Sequence, residues 1–179
     1  GYVVAQRKAA VASKVTAQLL EIHVEEGSRV KKGDIIARLE GADAAAAKDQ
    51  ARANLSVARY SLDQARAELA DARVSYEREK GLLAREYTTK AAFDAAEARF
   101  RKAEAGVAGA ESAVKAAEAA LEAAKVNLEY TLIRAPFDAV VLTKNADIGD
   151  IVTPLGAAAN AKAAVVTIAD MQSLQVEAD

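Results

Sequence analysis

Few residues of this chain could do covalent or metal chemistry. It has one histidine, one methionine and no cysteine. His23 stands between Ile22 and Val24, on the opposite face of what reads as a strand, which is the setting of an exposed polar position rather than a general base. One His and one Met make a poor ligand set for a transition metal. Without cysteine there is no thiolate nucleophile, no zinc knuckle and no disulfide, a composition that fits any compartment. No carboxylate pair has an evident cleft, no glycine-rich phosphate loop follows a strand, and no nucleophile has a base within reach in sequence. The expectation is a protein that is not an enzyme and holds no metal or cofactor.

The residues that do recur at a meaningful spacing are charges on a heptad. Arg59, Arg66, Arg73 and Lys80 follow one another every seven residues, with Arg52 in phase ahead, and Glu97, Glu104, Glu111 and Glu118 do the same further on. Each basic residue stands four places after a large apolar one. Leu55, Leu62, Leu69, Tyr76 and Leu83 form the first large series, interleaved with Ala51, Ala58, Ala65 and Ala72. Phe93, Phe100, Val107, Val114, Leu121 and Leu128 form the second, interleaved with Ala96, Ala103, Ala110, Ala117 and Ala124. A strict seven-residue seam of large and small residues is the pattern of a left-handed coiled coil. It breaks at Arg85-Glu86-Tyr87-Thr88-Thr89, and a short break between two long helices makes them antiparallel neighbours. In that pairing the basic stripe of the first helix meets the acidic stripe of the second. Each exposed pair contributes only about 0.2–0.5 kcal/mol, so the stripes act as register-setting pairs rather than as a source of stability.

Composition agrees with narrow helix contacts. Apolar residues make up 52% of the chain, but aromatics only 4%, and much of the apolar share is alanine, which buries little area. The formal net charge is −2, which argues against non-specific nucleic-acid binding. No run of eighteen apolar residues could span a bilayer, and no signal peptide is visible. The chain begins at Gly1 without a methionine and ends inside an apparent strand, so it reads as a processed or excised piece.

Both flanks of the helical stretch read as β-structure. Residues 1–14 are extended, Val15–Val24 alternates with Leu20, Ile22 and Val24 on one face, and Ile35–Leu39 follows turns at Glu25-Glu26-Gly27 and Lys31-Lys32-Gly33-Asp34. After the helices come Tyr130–Arg134, Ala139–Thr143, Gly149–Val152, a small-residue loop at Ala157–Ala163, Ala164–Ile168 and Leu174–Ala178. Gly27, Val30 and Gly33 are echoed by Gly149, Val152 and Gly156. Two similar halves around an insertion imply one pseudo-symmetric β-sandwich, and an insertion whose ends lie close together costs little closure entropy.

On these residues the chain resembles a known family. Val15–Leu39 is similar to the first half-motif of a biotinyl/lipoyl-like domain, and Leu132-Ile-Arg-Ala-Pro-Phe-Asp-Ala-Val-Val141 to the second. A lipoyl-like domain split by a coiled-coil hairpin resembles the periplasmic adaptor subunits, or membrane fusion proteins of the HlyD type. The resemblance implies an α+β fold: residues 1–41 give the first half of a lipoyl-like β-sandwich, 42–128 the helical hairpin with its tip at about 84–89, 129–173 the second half, and 174–179 the start of a β-barrel domain. It implies an adaptor in the periplasm, anchored at or associated with the inner membrane. Its partners would be a TolC-like outer-membrane channel, an inner-membrane transporter of the ABC (MacB-type) or RND class, and further copies of itself in a ring of six. Family members that dock on such a channel carry Arg, then Leu four residues on, then Ser or Thr seven further. Arg78, Leu82 and Thr89 match, so the resemblance makes these three the channel-docking residues of the tip. Arg offers a forked donor, Leu an apolar knob, and Thr a hydroxyl able to cap the second helix. The chain departs from the family at Ala139 and Glu86, both places where glycine is usual, and lacks a glycine near Ala17-Gln18.

Two other classes compete. A lipoyl or biotin carrier needs its modified lysine at a tight exposed turn between the half-motifs, where this chain has its hairpin; Lys48, Lys125 and Lys144 do not sit at such a turn. An intact mass carrying the attached group would favour that reading. A plain coiled-coil scaffold explains the helices but leaves the two matching β halves without a purpose.

Overall fold

A computed structural model describes residues 2–5, 8–154, 164–170 and 174–177, the first and last of these segments by backbone alone. In chain order it has β1 (Tyr2–Ala5), β2 (Lys8–Ala12), β3 (Ala17–Ile22), β4 (Arg29–Val30), β5 (Ile35–Leu39), α1 (Ala42–Leu83), α2 (Lys90–Glu129), β6 (Leu132–Arg134), β7 (Ala139–Lys144), β8 (Ile151–Val152), β9 (Ala164–Ala169) and β10 (Leu174–Glu177). These form two compact units, Gly1–Ala45 with Lys125–Asp179, and Ala46–Ala124. The class is α+β, with strands on both flanks of a helical hairpin.

In the β unit, two four-stranded sheets run in the orders β2-β9-β7-β4 and β6-β5-β3-β8, and β1 pairs with β10 in a separate antiparallel ladder. Each large sheet mixes strands from before and after the hairpin, so neither half closes a core alone. The core draws on both sheets: Leu19, Ile36 and Leu39 from one, Val141, Val165, Val166 and Ile168 from the other, all buried.

The two halves repeat in the register of the glycine echo read in the sequence, with Gly27 the counterpart of Gly149. β4 pairs with β7 and β8 with β3, Val30 opposite Ala139 and Val152 opposite Ala17. Both glycines have positive φ, +86° and +97°, which an L-residue adopts only under strain. Gly27 N–H donates to Val141 O and Gly149 N–H to Leu19 O, each at 2.8 Å. In both, the next residue closes the turn: Ser28 Oγ accepts from the Glu25 N–H at 3.1 Å and Asp150 Oδ2 from the Asp147 N–H at 2.8 Å. A similar side-chain closure recurs at Gly33, where Asp34 Oδ2 accepts from the Lys31 N–H at 2.8 Å. Gly156 and the loop 157–163 lie outside the described residues.

One detail of the sequence reading changes. Leu20 does not share a face with Ile22 and Val24. Leu19 is buried and Leu20 is exposed, because the pairing of β3 with β5 shifts register between Leu19 and Glu21 and resets the alternation; Ile22 and Val24 then pack against the core. Thr153, next to the buried Val152, is buried too, and its Oγ1 makes no hydrogen bond among the described residues. At Ala139 the backbone keeps ordinary φ: among the described non-glycine residues only Glu86 has a positive one.

The helical unit follows its seam. Leu55, Leu62 and Ala96 are buried, the other large and alanine seam positions are half-buried, and almost every position off the seam is exposed. Tyr76 stacks on Phe100 at 5.2 Å between ring centroids and tilts against Phe93 at 5.6 Å, a geometry that adds to area burial near the tip. At the other end Gly41 precedes α1. A Cβ there would lie 3.1 Å from the Thr131 side chain, whose hydroxyl donates to Leu128 O at the end of α2. Close approach is what glycine allows at this position.

Candidate functional site

The hairpin tip is a built structure rather than a loose loop. The last turn of α1 ends with Glu86 N–H donating to Leu83 O and Tyr87 N–H to Leu82 O. That pair of bonds is a Schellman closure, in which the residue at the position of Glu86 takes the left-handed conformation. Glu86 has φ +60°, in a place where glycine costs nothing and a side chain costs about 1 kcal/mol. The Thr88 hydroxyl then donates to Glu79 Oε2 at 2.8 Å, tying the connection back onto α1. Thr89 caps α2: its Oγ1 accepts from the Ala92 N–H at 3.2 Å and its carbonyl from the Phe93 N–H, satisfying donors that a helix start leaves orphaned.

The three sequence-derived docking residues fall as follows. Arg78 and Leu82 lie one turn apart near the end of α1, on neighbouring positions of one helix face. Arg78 is exposed and makes no hydrogen bond or ion pair among the described residues, and Leu82 is half-buried. Thr89 stands across the turn with its hydroxyl committed to the cap. Sequence reasoning missed Tyr87, which is 78% exposed. The available signal was an aromatic residue inside the break, off both heptad series.

Of the register pairs, Arg59 lies 3.0 Å from Glu118 and Arg66 3.4 Å from Glu111. Seven residues up α1 correspond to seven down α2, the register expected of an antiparallel pair. Toward the tip the stripe is not closed. Among the described residues no ion pair joins Arg73 to Glu104 or Lys80 to Glu97. Glu97 instead binds Arg101 of its own helix at 2.7 Å, and Lys80 sits 5.8 Å from the Tyr76 ring centroid. An i,i+4 partner costs less side-chain ordering than one across the seam.

Elsewhere the surface holds open clefts. The cleft beside His23 is lined also by Arg29, Asp34 and Arg134, but several of these groups already have partners: His23 Nε2 is 3.3 Å from Glu21, Arg134 Nε is 2.6 Å from Glu129, and Asp34 accepts from the Lys31 N–H. No group of three His, Asp or Glu residues that could hold a metal ion occurs among the described residues, and none of the described helices is long and apolar enough to cross a membrane.

Comparisons with known proteins follow the same division. Residues 54–131 match the family model for the alpha-helical hairpin domain of RND membrane fusion proteins. Among solved structures, MacA from Actinobacillus actinomycetemcomitans aligns with a TM-score of 0.88 at 22% identity, over 97% of this chain and 52% of that one. The membrane fusion protein Spr0693 from Streptococcus pneumoniae R6 aligns at 0.68 and 18% identity, over 97% and 64% of the two chains. The periplasmic adaptor protein EmrA aligns at 0.57 and 15% identity, over 97% and 74%. The chain thus spans about half the length of the MacA structure. No curated protein matches it.

Proposed function

We propose that this chain, which carries the hairpin domain and the fold of membrane fusion proteins, works as a non-enzymatic periplasmic adaptor. In this reading it links an inner-membrane transporter, of the ABC (MacB-type) or RND class, to a TolC-like outer-membrane channel. The β unit packs side by side with other copies in a ring of six around a duct, and the hairpins reach toward the channel, about 60 Å for some forty residues per leg at 1.5 Å per residue. The separate β1–β10 ladder fits the beginning of a further β domain, and the full-length protein sits at the inner membrane. Energy comes from the transporter; the adaptor contributes a path and a grip.

The observation that carries this reading is the tip. A rigid closure presents an unpaired Arg78 and a half-buried Leu82 at the far end of a hairpin of the membrane-fusion type. Preorganised ends lose little entropy on binding, and a guanidinium suits the unsatisfied carbonyls of a helix end. Co-purification of the full-length protein with the channel tests it. Arg78→Asp is expected to abolish recovery of the channel while circular dichroism shows an unchanged helix content; undiminished recovery would overturn the docking role.

A further inference from the structure

Three described glycines stand inside helices, Gly81 on α1 and Gly106 and Gly109 on α2, and at each a Cβ would meet nothing within 4 Å. None of the three has positive φ. Glycine is a poor helix residue, because its unfolded backbone has the most freedom to lose. The other described glycines have a reason inside the fold: Gly27, Gly33 and Gly149 hold positive φ, and Gly41 lets Thr131 come close. Gly81 has no such reason. It stands beside Leu82, two residues before α1 ends.

The neighbours of Gly81 give it a purpose outside the chain. Arg78, Gly81, Leu82 and Arg85 follow the spacing i, i+3, i+4, i+7, which lines them along one side of α1 and its closing turn. Arg78, Gly81 and Arg85 are exposed, and neither arginine has an ion pair or side-chain hydrogen bond among the described residues. The helical neighbours of Arg78 are Val74, Ser75, Gly81 and Leu82, so no acid competes for its guanidinium. Glu79, next in sequence, is held by the Thr88 hydroxyl. The two arginines are about 10 Å apart along the axis at 1.5 Å per residue, and at Gly81 between them the surface is bare backbone.

We infer that Gly81 is a contact residue for the outer-membrane channel: a helix end of the channel lies against the bare backbone at Gly81, with Arg78 and Arg85 on its carbonyls from either side. The inference rests on the docking reading of Arg78 above. The C-terminal end of a helix offers what two free cations need, carbonyls without partners and the negative end of a dipole. Each guanidinium can donate to two such oxygens at once. A side chain at position 81 would hold the two backbones apart. Gly106 and Gly109 stand mid-helix, about 24 Å or more from the start of α2 at 1.5 Å per residue, out of reach of a tip contact.

A glycine kept for a partner and a glycine kept for the fold predict opposite signs. The full-length protein is made as Gly81→Ala, Gly81→Gln, Arg85→Gln and Arg78→Asp. Each is measured for melting of the helical signal and, by surface plasmon resonance, for affinity for a TolC-like channel in detergent micelles. Both Gly81 variants are expected to melt higher, since alanine and glutamine are better helix formers. Gly81→Gln is expected to weaken channel binding at least about tenfold, the scale of overpacking a closed contact, and Gly81→Ala by less. Arg85→Gln is expected to weaken it about threefold to tenfold, the scale of one charge-assisted hydrogen bond. A more stable adaptor that binds less well does not owe its loss to unfolding. A lower melting temperature of Gly81→Ala would reveal a reason inside the fold and overturn the inference. Wild-type binding by Gly81→Gln, with binding lost in Arg78→Asp, would overturn the contact at Gly81 and leave the docking role of Arg78 standing. Undiminished binding by both would overturn the docking reading and the inference together. Unchanged channel affinity with a shifted oligomer mass in Gly81→Gln would also overturn it, by making the occupant a second copy of this chain.

Discussion

The two halves of the β unit and the two legs of the hairpin are both pairs of like elements, but they differ in what is kept alike. In the β unit the turns around Gly27 and Gly149 share a glycine at positive φ, a closing side chain on the next residue and a backbone bond to the paired strand. Everything repeated there faces inward or holds a turn. In the hairpin only the seam is repeated: α1 leaves Val57, Tyr60 and Val74 exposed, while α2 has alanine or serine at its outermost positions. Repetition is kept where the chain must close on itself and lost where it faces solvent.

The largest effect should come from the shared core. Ile36→Ala removes a fully buried side chain between sheets built from both halves and should cost about 2–5 kcal/mol in urea unfolding of the β-unit transition. A cost below about 1 kcal/mol would mean the halves do not share one core. Next, Gly27→Ala and Gly149→Ala each force an L-residue into positive φ, where space is open but the backbone is strained. Each should lose about 1–2 kcal/mol, and by similar amounts. Unequal losses would break the equivalence of the turns. The smallest effect has the opposite sign: Glu86→Gly relieves the strained closure and should stabilise the hairpin by about 1 kcal/mol, read as a higher melting temperature of the helical signal.

The sequence was most legible where geometry is periodic. A seven-residue seam has only one structural solution, so the legs, the break and the antiparallel register could all be read from Leu55–Leu83 and Phe93–Leu128. It was less legible where one residue resets a pattern. The register shift in β3 put Leu19 inward and Leu20 outward, and alternation alone carries no sign of it. The β repeat was legible as well, because Gly27 with Val30 and Gly149 with Val152 keep one spacing and fall at equivalent strand pairings. The charged stripe was legible as a stripe but only half-realised as bonds, because Arg101 reaches Glu97 within its own helix. At the tip, spacing pointed to Arg78, Leu82 and Thr89, whereas the closure through Glu86 and the exposure of Tyr87 follow from backbone hydrogen bonds that no spacing rule describes.

The central proposal is that the hairpin docks on an outer-membrane channel through its tip and not through its seam. The most direct measurement is the affinity of the full-length protein for the outer-membrane channel, by surface plasmon resonance, for Arg78→Asp beside Arg66→Asp. Arg66 has the same chemistry but pairs with Glu111 in the register stripe. Arg78→Asp should weaken binding at least about tenfold, the loss expected when an anchoring arginine is removed, and Arg66→Asp should leave it within about twofold. Equal losses in the two variants, or undiminished binding by Arg78→Asp, would contradict it.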